Sequence, residues 1–93
     1  MVDEKPKPWV LGEDVIPGHM IGALRRYIDH GIEPGSFLTA VLSNDLMGAA
    51  GRADHANWRL LGVYAAYLHN MCPSGCYGSP ESVAAWVKAR RES

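Results

Sequence analysis

The stretch from His19 to Leu46, HMIGALRRYIDHGIEPGSFLTAVLSNDL, carries the clearest pattern in this chain. Met20, Ile21, Leu24, Tyr27 and Ile28 recur at three- and four-residue intervals, the spacing of one apolar stripe along a helix. Pro17 suits the first turn, and Gly31 suits the left-handed residue just past the last. Arg25 and Asp29 stand four apart, as do Arg26 and His30, which predicts a solvated, partly self-paired outer face. In Ile32-Glu33-Pro34-Gly35 the helix must stop, because Pro34 has no amide donor and pushes the residue before it out of helical geometry. Ser36 then reads as an N-cap, and Phe37, Leu38, Val41, Leu42 and Leu46 form a second apolar stripe. The stretch predicts a helical hairpin.

Working outward, residues 1–16 contain Pro6, Pro8, dense charge and Trp9-Val10-Leu11, and read as an extended arm. Trp9 is expected to cover an edge of its own core or to dock on a neighbouring subunit. After Leu46, Met47-Gly48-Ala49-Ala50-Gly51-Arg52-Ala53 predicts a bend near Asn44-Asp45, then a short small-residue segment open to close backbone approach. Asp54 is placed to cap a third helix from His55 to about His69, with Trp58, Leu61, Ala65 and Leu68 on one stripe and Leu60, Tyr64 and Tyr67 beside it. Asn70 to Gly78 reads as a loop. Ser79-Pro80-Glu81 opens a last helix in the favoured order of cap, proline and acid, and Lys88, Arg90 and Arg91 complement its C-terminal dipole. Val83, Trp86 and Val87 face inward. No strand-like alternation is read anywhere. The expected fold is all-α: a small single-domain bundle of four to five helices over residues 17–93, with the extended arm of residues 1–16 outside it.

A chain of 93 residues makes one domain and buries roughly 60–65% of its extended surface, enough for one modest core. Nine basic and ten acidic residues leave a net charge of −1, so no overall field recruits DNA, RNA or an anionic membrane. No apolar run approaches the roughly 20 residues a membrane span needs. The first fifteen residues lack the apolar core and cleavage site of a signal peptide, so the protein is expected in the cytoplasm, that of a host cell under the phage setting below, with both cysteines reduced.

Spacing argues against a metal. His19 and His30 would lie roughly 16 Å apart on one helix, and His55 and His69 about 21 Å apart on a straight one. Zinc ligands lie roughly 2.0–2.3 Å from the ion, so neither pair shares one. Cys72 and Cys76 have no second pair, and read as a buried thiol and a bystander. Nothing supplies the base and orienting group a cysteine nucleophile needs beyond His69 nearby in sequence. Paired carboxylates, a P-loop and a dinucleotide fingerprint are all missing, so no catalytic residue and no cofactor are expected. A helix-turn-helix reading fails on the second helix, which offers Thr39, Ser43, Asn44 and Asp45 but no basic residue to base edges.

Binding survives. Helix starts present free amides and partial positive charge to anions, and Gly35-Ser36 and Gly78-Ser79 add hydroxyls. Arg25, Arg26, Arg52 and Arg59 offer bidentate contacts to phosphate. Tyr27, Tyr64, Tyr77 and Trp58 offer faces for stacking. Against this stands the plainer account of the same residues as caps, solvated charge and core.

Taken together, HMIGALRRYIDHGIEPGSFLTAVLSNDL, GRADHANW and NMCPSGCYGSPESVAAW resemble a family of short proteins encoded by tailed phages and prophages. The likeness runs from about Pro17 to Trp86, and its most specific pieces are Arg25-Arg26-Tyr27, Pro34-Gly35-Ser36-Phe37, Asn44-Asp45-Leu46, Arg52-Ala53-Asp54 and Cys76-Tyr77-Gly78-Ser79. It implies a phage setting and supplies no catalytic residues. In that setting the expected function is an anti-defence sponge: a homo-oligomer that sequesters a nucleotide-derived immune signal of cyclic-nucleotide or ADP-ribose type. Arg25, Arg26 and Arg52 would hold phosphates, Gly35 and Ser36 would give amide and hydroxyl contacts, Tyr27 would stack, and Asn44 or Asn57 would read base or ribose edges. The alternative is a non-enzymatic protein–protein interaction module, acting on a host or phage protein through Trp9, Trp58 and the small-residue segment. Hydrolysis of the bound nucleotide is a third, weaker option.

Overall fold

A computed structural model describes residues 6–92. Among them the chain is mostly helical, with six α-helices and one two-stranded antiparallel sheet. Residues 1–5 of the expected arm, and Ser93, lie outside the described residues.

The arm is where the expected all-α fold fails. Trp9–Leu11 (β1) and Asp14–Ile16 (β2) pair as a hairpin, Trp9 opposite Ile16 and Leu11 opposite Asp14. The loop is Gly12-Glu13, with Gly12 at φ 61. A positive φ at the first loop residue matches the right-handed twist of the flanking strands and favours glycine. Three-residue strands are too short to show alternation. Trp9 covers its own core: its ring meets Tyr67 edge-on, centroids 5.3 Å apart, while Ile16 beneath it is fully buried.

The first helix, Gly18–His30 (α1), buries Ile21, Leu24, Tyr27 and Ile28 on the expected stripe. It ends at Gly31, φ 68, where the amides of Gly31 and Ile32 return to the carbonyls of Tyr27 and Arg26. The second, Ser36–Leu42 (α2), starts one residue earlier than a Ser36 cap requires. Gly35 holds the cap position, and Ser36 is already helical without a side-chain cap bond. It stops at the foreseen bend: Asn44 turns left-handed at φ 61, and the Asp45 carboxylate accepts from the Gly48 amide at 2.9 Å to cap Leu46–Arg52 (α3). Leu46 therefore belongs to a new helix and leaves the α2 stripe for solvent.

Asp54 caps the next helix as expected, accepting from the Asn57 amide at 2.8 Å. That helix is not continuous to His69. It breaks into His55–Arg59 (α4) and Leu61–Met71 (α5) at Leu60, φ −99 and ψ 8, whose amide bonds back to Asn57 in a tightened turn. The break turns Trp58 off the Leu61–Leu68 stripe and into solvent. A 3-10 turn, Ser74–Cys76, leads to Pro80–Glu92 (α6), capped by the Ser79 hydroxyl, which accepts from the Ser82 amide. On α6, Trp86 Nε1 and Arg90 Nε both donate to the Ile28 carbonyl at 3.1 Å, and the Arg90 guanidinium lies 4.2 Å over the Trp86 ring. These bonds fasten α6 to the end of α1. Tyr27, Tyr64, Leu24, Leu42, Ile16 and Cys76 form the fully buried centre. Among the described residues, no helix is long and apolar enough to cross a membrane.

Candidate functional site

Two neighbouring surfaces border the α2–α3 bend, one polar and one apolar. The polar one is a hollow of about 320 Å³ lined by Ser36, Thr39, Ser43, Asp45 and Arg52, with Pro34 and Pro80 at its rim. Its shape follows from the bend. Asn44 reverses the chain, so α3 folds back against α2 and carries Arg52, in its last turn, towards the start of α2. Gly48 makes room for this: a Cβ there would lie 2.7 Å from Arg52 Nη1 and would also meet the Asp45 carboxylate. The guanidinium thus lies back along α3, with a carboxylate on the other side of Gly48. Thr39 spends its hydroxyl on the Pro34 carbonyl at 3.2 Å.

The apolar surface lies between α2–α3 and α5. One hollow of about 190 Å³ has Leu46 and Ala49 facing Leu61 and Ala65. A second, of about 220 Å³, runs on towards Leu68, Tyr77 and Gly78. The two share Val41, Asn44 and Ala65, so they form one groove with Asn44 at its middle. Leu46 borders it at 65% exposure, and the next residue, Met47, is 80% exposed; Trp58 on α4 is 57% exposed. Isolated exposed apolar side chains are ordinary on a small protein. Leu46 is different because it projects beside an apolar recess of its own surface.

The residues singled out from sequence divide between these surfaces and others. Ser36 and Arg52 come together in the polar hollow, with Gly35 one residue outside its lining, and Asn44 sits in the apolar groove. Arg25 and Arg26 line neither surface. Arg25 pairs with Asp29 at 3.2 Å on the outer face of α1, as its spacing predicted, and Arg26 lies over Gly22 beside Pro6. Tyr27 is unavailable for stacking: it is 0% exposed, and its hydroxyl donates to the Cys76 carbonyl at 2.8 Å. Burial, with the nearby Cys76 and Glu33, pushes its phenol well above the usual tyrosine range. Asn57 is also engaged, its Oδ1 accepting from the Tyr64 hydroxyl at 2.7 Å. Tyr64, likewise fully buried, is pushed up to about 12 by burial and by Asp54.

Sequence reasoning missed the groove and the place of Asp45 in the hollow. The Asn44-Asp45 pair was the available signal, since a left-handed residue followed by an N-cap resets the helix face. Among the described residues, no group of three or more His, Cys, Asp or Glu side chains is placed to hold a metal ion. No protein-family model, curated protein or solved structure matches this chain.

Proposed function

We propose that this protein is a non-enzymatic interaction module that self-associates through the apolar groove between α3 and α5, and in that form inhibits or adapts a host or phage protein. The observation that carries the reading is Leu46, an exposed apolar knob at the edge of the apolar recess it helps to line. A two-fold dimer needs a self-complementary patch, and a knob beside a hole meets that need, each copy's Leu46 and Met47 filling the other's groove. The phage setting implied by the sequence resemblance fits a small protein that acts by contact.

A second reading, the nucleotide sponge, is favoured by one observation, the meeting of Ser36 and Arg52 in a hollow of about 320 Å³. That size lies within the roughly 300–1,000 Å³ of small-ligand pockets. Asp45 in the same lining opposes an anion, and Arg25 and Arg26 stand elsewhere.

Sedimentation over a range of protein concentration, combined with melting curves against a panel of cyclic and ADP-ribose-type nucleotides, tests both. The interaction reading expects a concentration-dependent dimer that Leu46→Glu converts to monomer, and a flat nucleotide panel. A chain that stays monomeric at every concentration overturns self-association. A melting shift of several degrees for one nucleotide, abolished by Arg52→Ala, makes the sponge the better account, because a ligand that binds the native state stabilises it.

A further inference from the structure

We propose that the polar hollow beside the α2–α3 bend binds a small zwitterion of the α-amino-acid type, with its carboxylate on Arg52 and its ammonium on Asp45. This site is separate from self-association, which uses the apolar groove. Several polar groups reach the hollow uncommitted. Asp45 spends Oδ1 on the Gly48 amide at 2.9 Å, which leaves Oδ2. The Arg52 guanidinium and the hydroxyls of Ser36 and Ser43 line the same hollow of about 320 Å³. Among the described residues, none of these three groups has a hydrogen-bond or ion-pair partner. A concave surface on which free polar groups converge is the usual form of a small-ligand site.

The two charges are close but do not neutralise each other. The Asp45 carboxyl carbon and Arg52 Nη1 each lie 2.7 Å from the point a Gly48 Cβ would occupy, so they stand no more than twice that distance apart. Among the described residues, no ion pair joins them. α3 fixes this arrangement, with Asp45 as its cap, Arg52 in its last turn and the bare Gly48 between them. A ligand of one sign therefore meets one partner and one opponent in the hollow. A zwitterion meets two partners.

An α-amino acid carries both charges on one carbon, with roughly 2.5 Å from its nitrogen to its carboxyl carbon, so it can reach neighbouring partners at once. The guanidinium fork takes a carboxylate through parallel N–H donors. Asp45 Oδ2 accepts from the ammonium, and the Ser36 and Ser43 hydroxyls can donate to the one or accept from the other. Pro34 and Pro80 give the rim an apolar side for the ligand's own side chain. A phosphate would have to face the Asp45 carboxylate, and a metal ion would find one carboxylate beside a cation.

The isotope-labelled full chain is titrated with L-alanine at neutral pH, and its amide chemical shifts are followed by NMR. Parallel arms use N-acetyl-L-alanine, which keeps only the negative charge, L-alaninamide, which keeps only the positive one, and inorganic phosphate. Alanine should give saturable shifts centred on Ser36, Ser43, Gly48 and Arg52. Either half-molecule should bind about ten- to a hundredfold more weakly, the effect of losing one charge-assisted contact. Arg52→Gln should weaken alanine binding by a similar factor, as should Asp45→Asn, which keeps a capping side chain for α3. Alanine shifts that fail to saturate or centre elsewhere overturn the proposal. So does N-acetyl-L-alanine or phosphate binding as tightly as alanine, which makes the hollow an anion site, or L-alaninamide doing so, which makes it a cation site. Those wild-type outcomes decide it even if a variant fails to fold.

Discussion

Replacing Tyr27 with phenylalanine removes one oxygen from the middle of the fold and tests how α1 is held to the loop after α5. Tyr27 and Cys76 are both 0% exposed, and the hydroxyl donates to the Cys76 carbonyl at 2.8 Å, linking residues 49 apart in sequence. The ring and its packing stay, so the loss falls on the hydrogen bond. A buried acceptor left without a partner costs about 1–3 kcal/mol, more than the net value of an ordinary hydrogen bond. At roughly 4–8 °C per kcal/mol for a domain of this size, the melting temperature should fall by roughly 5–20 °C. Urea unfolding followed by circular dichroism at neutral pH measures the change, with an unaltered slope showing that the native state is intact. An independent signature lies at alkaline pH. The folded-state pKa of Tyr27 is raised above its ordinary value of 10.0, so the folded protein holds the phenol proton more tightly than the unfolded chain does. That contribution is fully present below pH 10 and is lost as pH rises beyond it. The wild type loses it and Tyr27→Phe has none to lose, so the gap between them must narrow above that pH. A variant as stable as the parent at neutral pH, or a gap that stays constant into the alkaline range, refutes the reasoning.

Gly31→Ala should destabilise by more than the roughly 1–2 kcal/mol of placing a side chain in left-handed geometry, because its Cβ would lie 2.7 Å from Arg90 Cβ and 3.0 Å from the Val87 carbonyl. An unchanged urea midpoint would contradict this. Asp54→Ala should cost about 1 kcal/mol through loss of the α4 cap and, by removing a negative charge near Tyr64, bring the phenol titration of Tyr64 down from about 12. Ultraviolet titration reads the second effect, and an unmoved tyrosine would show that Asp54 does not act on it. Leu46→Glu, exposed in the monomer, should change its stability by less than about 0.5 kcal/mol while abolishing self-association, so a variant that unfolds would place Leu46 in the core instead.

Much of the fold was legible where the signal was strong and local. The α1 stripe, the Gly31 stop, the Asn44-Asp45 bend and the Ser79 cap all follow from residues within one turn of each other. The hairpin escaped because its strands have three residues each and its turn signal, Gly12, sits among charges that read as a solvated arm. The break at Leu60 escaped because an apolar leucine carries no stop signal; the interruption shows only in the tightened turn back to Asn57.

The candidate site was harder to read for a different reason: a side chain's chemistry does not say whether the fold has already used it. Tyr27 and Asn57 have the right groups for stacking and base recognition, but both are committed to internal hydrogen bonds. Arg25 is answered by Asp29. Arg52 and Ser36 belong to helices separated by the bend, and meet only because Asn44 takes a left-handed turn. The same bend carries Leu46 out of the stripe it completes on paper and sets it beside the groove. One backbone reversal thus both assembles the polar hollow and exposes the apolar knob. Because the two surfaces depend on the same turn, Asn44→Gly, which keeps the left-handed geometry open, should preserve both, whereas Asn44→Val, whose β-branched side chain resists positive φ, should disturb both together. Loss of self-association in Asn44→Val with Arg52 still reactive to the same extent towards phenylglyoxal would show that the hollow and the groove are built independently.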